Sequence, residues 1–238
     1  MEGQRTYRHE YKFLIDERQK ALLYYRLKNL IPLDMHAGEA GRYWIRSVYF
    51  DDCRNSCFYE NEDGVNERAK YRIRIYDVSD QSIKLERKSK KNGLTCKESA
   101  SLTRAQCGQL LRGVPLPVEA GQPEVLRQFL TLMRSQGMRA RTVVEYERIP
   151  FTYPAGNVRI TFDRNITSSL QVDRFFEKEN LRYPVLSRGQ QLLEVKFDEY
   201  FPTWIRNRLE IGSLRQTSFS KYYLSRKYTV SCAGGRLK

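Results

Sequence analysis

Basic and acidic residues recur at every second position in several short stretches of this chain. In KYRIRIY, Lys70, Arg72 and Arg74 alternate with Tyr71, Ile73 and Ile75, and in SIKLERK, Lys84, Glu86 and Lys88 alternate with Ile83, Leu85 and Arg87. Arg159, Thr161 and Asp163 oppose Val158, Ile160 and Phe162, while Glu194, Lys196 and Asp198 oppose Leu193, Val195 and Phe197. Near the start, Glu10 and Lys12 oppose Tyr11, Phe13 and Ile15. Successive side chains of a strand point to opposite faces, so each stretch presents one ionic and one apolar face. An ionic face of this composition suits phosphoryl chemistry. Arginine grips phosphate oxygens in bidentate fashion, lysine acts as a point charge, and a carboxylate supplies hard oxygen to Mg2+ or Mn2+. Such transfer needs positioning and charge neutralisation more than a covalent nucleophile. No Walker A, GxSxG or HExxH motif offers another mechanism.

The charge balance points the same way. The chain has 42 Lys and Arg against 28 Asp and Glu, a net charge of +14, which favours nucleic acid, an anionic membrane or phosphate-rich small molecules as partners. Nucleic acid is the weakest of these, because no recognition motif is present and the basic residues alternate along strands instead of gathering on one helix. The 238 residues suffice for one generous domain, taken as residues 1–238, and the 40% hydrophobic content with 16 Tyr and 11 Phe supplies a core. No apolar run approaches the roughly 20 residues that span a bilayer. The opening MEGQRTYRHEYKF has no apolar signal stretch, so a cytoplasmic location is expected. Cys53, Cys57, Cys96, Cys107 and Cys232 are odd in number and irregular in spacing, which argues against a disulfide framework. With His9 and His36 as the only imidazoles, they do not form a zinc site either.

Helices and turns must position the charged stretches. A helix is expected from the N-cap Asp16 through Leu23, Leu27 and Leu30 to Pro32, followed by a loop and the strand YWIRSVYF. KYRIRIY and SIKLERK pair as a hairpin about Asp77–Gln81, KKNG is a turn, and LTCKESAS is a further strand. Thr103 and Gln106 form a capping box for a short helix ending at Gly113. Pro123 opens another helix, with Val125, Leu126, Phe129, Leu130 and Met133 as its apolar stripe and Gly137 at its end. RTVVEYERIPF, NVRITFD and QLLEVKF read as strands, and Trp204–Leu209 and Ser220–Arg226 as short helices. About eight strands with several helices make an α+β plan with an antiparallel sheet. Periodicity leaves two readings open: the ionic faces are the solvated outside of a half-buried sheet, or they line the inside of a barrel whose apolar outside is covered by helices. Like charges two residues apart, such as Arg72 and Arg74, gain nothing on a water-facing strand.

The ordered set RHEYKFLI, RSVYFDD, ERAKYRIRIY, IKLERKSK, VEYERIPF, VRITFDRNI, LLEVKFDEYFP and SFSKYYLSRKY, from about Tyr7 to Tyr228, resembles the VTC domain. This is the polyphosphate polymerase domain of the vacuolar transporter chaperone family, within the triphosphate tunnel metalloenzymes. The resemblance implies an eight-stranded antiparallel β-tunnel, a closed barrel with peripheral helices and inward-facing charges. It implies a metal-dependent phosphotransferase that makes inorganic polyphosphate from the γ-phosphate of ATP. By motif, Arg72, Arg74, Lys84, Lys88 and Arg159 would be catalytic, Lys12, Ser220 and Lys221 would bind phosphate, and Glu194 would hold Mn2+ or Mg2+. Tyr49 and Tyr146 read as packing or wall residues. The chain departs from the pattern of other tunnel enzymes at HEYKF, where Glu10 and Lys12 alone remain of a glutamate-rich alternation, and at position 218, where Ser replaces a residue that tends to be basic in fungal members. The expected partners are ATP and polyphosphate or triphosphate, without nucleic acid. The alternatives are a tunnel triphosphatase acting on triphosphate or nucleotides, and a non-catalytic polyphosphate-binding module.

Overall fold

The alternating stretches form strands where the pattern expects them. A computed structural model describes residues 6–209 and 214–233. Its strands are β1 (His9–Ile15), β2 (Tyr43–Asp51), β3 (Arg68–Tyr76), β4 (Ser79–Lys91), β5 (Leu94–Leu102), β6 (Arg139–Tyr153), β7 (Val158–Ser169), β8 (Tyr183–Pro184) and β9 (Gln191–Phe197). Eight of them join in one antiparallel path, β1-β9-β7-β6-β2-β3-β4-β5, with the two-residue β8 beside β7. The β3–β4 hairpin is tighter than expected. Its turn is Asp77–Val78, both at positive φ (49° and 55°), which is the two-residue geometry that follows the twist of the flanking strands. Asp77 then locks the turn to β2, its carboxylate accepting from Trp44 N at 2.8 Å.

The sheet curls strongly, but its hydrogen-bond ladder is open, a half-barrel in place of the expected closed barrel. The edges β1 and β5 meet at one bridge, where Arg8 and Thr95 exchange backbone bonds of 2.9 and 3.0 Å. Farther along, the free edge of β1 is taken by another partner. Phe13 bridges Gln216, and Thr217 N donates to Lys12 O at 2.8 Å. The 214–220 segment therefore lies where β5 would otherwise have continued the ladder.

Six helices, α1 (Glu17–Leu27), α2 (Ser56–Glu62), α3 (Arg104–Leu111), α4 (Glu124–Ser135), α5 (Thr203–Leu209) and α6 (Lys221–Ala233), decide which face of the sheet is which. Capping boxes start α1 at Asp16 and α3 at Thr103, as the sequence pattern requires. The stripe Val125, Leu126, Phe129, Leu130 and Met133 of α4 is buried, in one core with Tyr71, Ile73 and Ile75 of β3 and Ile83 and Leu85 of β4. Leu23 and Leu27 of α1 and Ile205 of α5 share a second core with Ile160 and Phe162 of β7 and Leu193 and Val195 of β9. Burying each of these large apolar side chains contributes about 1.5–3 kcal/mol. Helices α1, α3, α4 and α5 thus cover the apolar parity on the convex side, α2 and α6 pack on the other side against Ile45, Val144 and Tyr146, and the ionic parity of β1, β3, β7 and β9 is left facing the concave side. That settles the ambiguity of the alternation in favour of inward charges.

α2 was not foreseen. Its N-terminal amides are capped from the preceding strand and loop: Cys57 N donates to Asp51 Oδ1 at 2.9 Å, Phe58 N to Asp51 Oδ2 at 3.2 Å, and Ser56 N to Asp52 Oδ1 at 2.9 Å. The hydroxyl of Tyr222 also donates to Asp51 Oδ2, so one buried carboxylate ties α2 to α6. The thiols of Cys53, Cys57, Cys96 and Cys107 are free, as expected, and the Cys232 side chain lies outside the described residues. Among the described residues no helix is long and apolar enough to cross a membrane.

Candidate functional site

The concave face encloses a cavity of about 840 Å³ lined, among the described residues, by thirteen Lys and Arg and two carboxylates, Glu10 and Glu194. Arg72 and Arg74 point into it from β3, held by a carboxylate beneath them. Arg72 Nε and Nη2 each lie 2.7 Å from Glu86 Oε2, Arg74 Nε lies 3.8 Å from the same oxygen, and Lys97 Nζ is 3.2 Å from Oε1. Burial alone would raise the Glu86 carboxyl, but Arg74 and Arg72 hold it well below the usual carboxylate range. Tyrosines complete the support: Arg72 Nη1 donates to Tyr49 OH at 3.0 Å, and Arg74 Nη2 to Tyr146 OH at 3.2 Å. The guanidiniums are thereby charged, desolvated and fixed in direction, which is the preorganisation an anion site requires.

Across the cavity a second cluster forms on β6, β7, β9 and α6. Arg148 makes a bidentate pair with Asp163 (2.6 and 2.7 Å), Lys221 Nζ reaches the same carboxylate at 2.7 Å, and Arg148 Nη2 lies 3.7 Å from Glu194. Lys196 Nζ is 2.7 Å from Glu194 and 3.5 Å from Glu10, and Lys88 Nζ is 2.6 Å from Glu10. Burial works against ionisation of Glu194, yet Lys196 and its other neighbours hold it well below the usual range. Glu10 is lowered as well, burial being outweighed by Lys88 and Lys12. Lys12 Nζ donates to Phe219 O at 2.8 Å, which brings the 214–220 segment over this end of the cavity.

The lysines fare differently from the arginines. Burial pushes the Lys70 ammonium down to about 7, and its two hydrogen-bond acceptors are neutral oxygens, Asn61 Oδ1 at 2.7 Å and Ser220 Oγ at 3.0 Å. Burial likewise pushes Lys88 down to about 7 against the pull of Glu10.

Of the residues singled out from sequence, Lys12, Arg72, Arg74, Lys88, Arg159, Glu194, Ser220 and Lys221 all line the one cavity. Lys84 does not. It shares the parity of Glu86 and Lys88, but its Nζ turns to its cross-strand neighbour Ser101 Oγ at 2.7 Å, away from the cavity lining. Arg159 stands at the periphery, bound to Tyr43 OH (2.9 Å) and Asp34 Oδ2 (2.8 Å). The central position opposite Arg72 and Arg74 belongs to Arg148, which sequence reasoning missed, together with Lys70, Lys97 and Lys196. A signal for Arg148 existed: it follows Tyr146 by two residues on a strand and pairs in register with Asp163.

Among the described residues no group of three or more His, Cys, Asp or Glu side chains is arranged to hold a metal ion. Two carboxylates do converge, since Glu10 and Glu194 interact directly and share Lys196. Mg2+ is commonly held by one or two carboxylates plus substrate phosphate oxygens, so this pair fits such an ion once a phosphate chain supplies the remaining ligands.

The VTC domain family model matches residues 7–230. No curated protein sequence matches the chain. Among solved structures, a candidate adenylyl cyclase from Hippeastrum, with a dominant triphosphatase activity, has a TM-score of 0.53 at 14% identity, over 93% of this chain and 96% of its own. A candidate adenylate cyclase from Bacillus halodurans has a TM-score of 0.50 at 13% identity, over 97% of this chain and 91% of its own. At such identities the likeness is one of fold. With the family match running almost from end to end, this chain belongs to the VTC-domain family.

Proposed function

We propose that the cavity binds ATP together with a polyphosphate chain and transfers the γ-phosphoryl group to the chain's terminal phosphate. The observation that carries this reading is the lining, thirteen Lys and Arg side chains against two carboxylates in about 840 Å³, an excess that the buried Glu86 and Asp163 behind the arginines offset only in part. An excess of that size, partly desolvated, calls for a ligand with several adjacent negative charges. Arg72, Arg74 and Arg148 hold the oxygens of the transferring phosphoryl group, and Lys12, Lys88, Ser220 and Lys221 hold phosphates to either side. Arg159 binds at the mouth, where its Nε is buried without a partner. An oxygen of the terminal phosphate attacks the γ-phosphorus in line, the bond to the β–γ bridging oxygen breaks, and ADP departs. The arginines stabilise charge spread over the equatorial oxygens. Glu194 and Glu10 would hold Mn2+ or Mg2+, which when bound neutralises phosphate charge. Lys84 has no part in this arrangement. The tunnel in this reading is completed by the Arg8–Thr95 bridge and the 214–220 segment rather than by a continuous ladder, and the cytoplasm is the compartment that would supply ATP.

The test is to incubate purified protein with ATP and Mn2+ and separate the products. Long-chain polyphosphate supports the proposal. Free phosphate alone would establish the triphosphatase reading, which the Hippeastrum neighbour's activity favours as the second choice. Tight tripolyphosphate binding with no turnover at all would leave a binding module.

A further inference from the structure

Ser220 and Lys70 form a contact that phosphate binding alone does not need. Lys70 Nζ sits 3.0 Å from Ser220 Oγ, and the amide oxygen of Asn61 fixes the lysine from its other side at 2.7 Å. Nucleophile, base and orienting group at these distances are the arrangement by which a hydroxyl is activated. We infer that Ser220 is itself a phosphoryl acceptor, with Lys70 as its general base and Asn61 as the group that positions Lys70. The inference rests on the preceding reading that the cavity takes a nucleoside triphosphate.

The stereochemistry allows the step. A serine hydroxyl has one proton and two lone pairs. Tyr223 N donates to Ser220 Oγ at 3.2 Å and occupies one lone pair. The charged Lys70 donates to Oγ and occupies the other; when the amine is neutral the hydroxyl turns its proton to Nζ, and that second lone pair becomes free for attack. That lone pair forms the new bond to the γ-phosphorus of a nucleoside triphosphate. The bond from this phosphorus to the bridging oxygen breaks, its electrons leave with the nucleoside diphosphate, and the hydroxyl proton passes to Lys70 Nζ. Ser220 caps the thirteen-residue α6, its Oγ accepting from Tyr223 N and its carbonyl from Leu224 N, so the hydroxyl sits at the positive end of the helix dipole. It also lies between Phe219, whose carbonyl holds Lys12, and Lys221, so a phosphate seated by those lysines is next to Oγ. Burial supplies the neutral amine, since it pushes Lys70 down to about 7. The charged and titratable groups facing Lys70 are Lys12 of β1, Asp51 of β2, Cys57 and Glu60 of α2, Arg68 of β3 and Tyr222 of α6, whose ring lies 5.4 Å from Nζ.

The experiment incubates the full chain with ATP and Mg2+, reads covalent phosphoryl by intact mass and peptide mapping, and measures tripolyphosphate binding by calorimetry in parallel. One phosphoryl group is expected on the peptide containing Ser220, forming faster as pH rises above 7, because the bound triphosphate holds Lys70 charged beyond its value in the free protein. Ser220→Ala should abolish it, and Ser220→Thr, which keeps both the cap and the hydroxyl, should retain it. Lys70→Arg makes the cation permanent and is no base at neutral pH, so it should bind tripolyphosphate at least as tightly as wild type yet label on the order of 100-fold more slowly. Wild type that binds tripolyphosphate without labelling Ser220, label at another residue, or an unchanged rate in Lys70→Arg each overturns the inference while sparing the proposed function. Wild type that fails to bind tripolyphosphate overturns both.

Discussion

Arg72 and Lys70 stand two residues apart on the same face of β3, and burial acts on both, yet they end in different states. Arg72 has Glu86 and Tyr49 against it, and these keep its guanidinium protonated despite burial. Lys70 bonds to two neutral oxygens and is pushed down to about 7. A guanidinium starts from a much higher pKa than an ammonium and stays a permanent cation here, whereas burial brings the lysines down to about 7 even at Lys88, which touches the Glu10 carboxylate. The arginine region offers fixed charge, and the lysine region near Ser220 offers protons that can be taken up or released. An anion entering the cavity should meet constant attraction at Arg72, Arg74 and Arg148, and pH-dependent attraction at Lys70 and Lys88.

The sharpest test of how the carboxylates divide their work is Glu194→Gln. If Glu194 supplies metal oxygen, turnover of ATP should fall more than about 100-fold, beyond what loss of an outer-shell metal contact costs. Tripolyphosphate binding should hold or tighten, because one repulsive charge is gone. Equal turnover by wild type and variant, assayed with Mn2+ or Mg2+, would show that the metal site is misassigned. Arg72→Ala comes next. It removes charge-assisted contacts present before the transition state, so calorimetry should show a loss of about 2–3 kcal/mol in tripolyphosphate binding, with turnover reduced alongside. Lys70→Ala at the same pH should cost clearly less, and equal losses would break the contrast between the two residues.

Titration probes the lysine region alone. The Lys70 and Lys88 pKa values lie near 7 in the free protein, and a bound polyanion favours their charged forms and raises them. Affinity should therefore decline as pH rises through and above 7, at most about tenfold per pH unit for each proton taken up. Calorimetry in two buffers of different ionisation enthalpy should show net proton uptake at pH 8. Lys70→Arg should remove part of that uptake. The smallest effect is expected from Tyr49→Phe, which deletes the hydroxyl that steadies Arg72 and should weaken binding by about 0.5–1.5 kcal/mol.

Parity was the part of the site that the sequence made plain. Alternation put Lys70, Arg72 and Arg74 on one face, and the helix stripe of Val125, Leu126, Phe129, Leu130 and Met133 supplied the cover for the other. Parity does not report depth along a strand, which is why Lys84 was grouped with Lys88 although its side chain turns to Ser101. Nor does it rank positions across strands. Arg148 acquires its central place only when β6 and β7 pair and set Asp163 against it. The closure of the sheet was misjudged for a related reason. Nothing local to β1 indicates that Gln216 and Thr217, some two hundred residues on, take its free edge. The helix α2 was invisible because its cap comes from Asp51 and Asp52 at the end of a strand, through an αL residue, Asn55, that carries no capping side-chain bond.

The claim on which the rest depends is that the concave cavity, and not the outer surface, is where phosphate binds. A crystal structure of the full chain with tripolyphosphate tests it most directly. The account predicts phosphates seated among Arg72, Arg74 and Arg148, within reach of Lys88, Ser220 and Lys221. Phosphates bound only on the convex side, with these residues left in their present ion pairs, would contradict it.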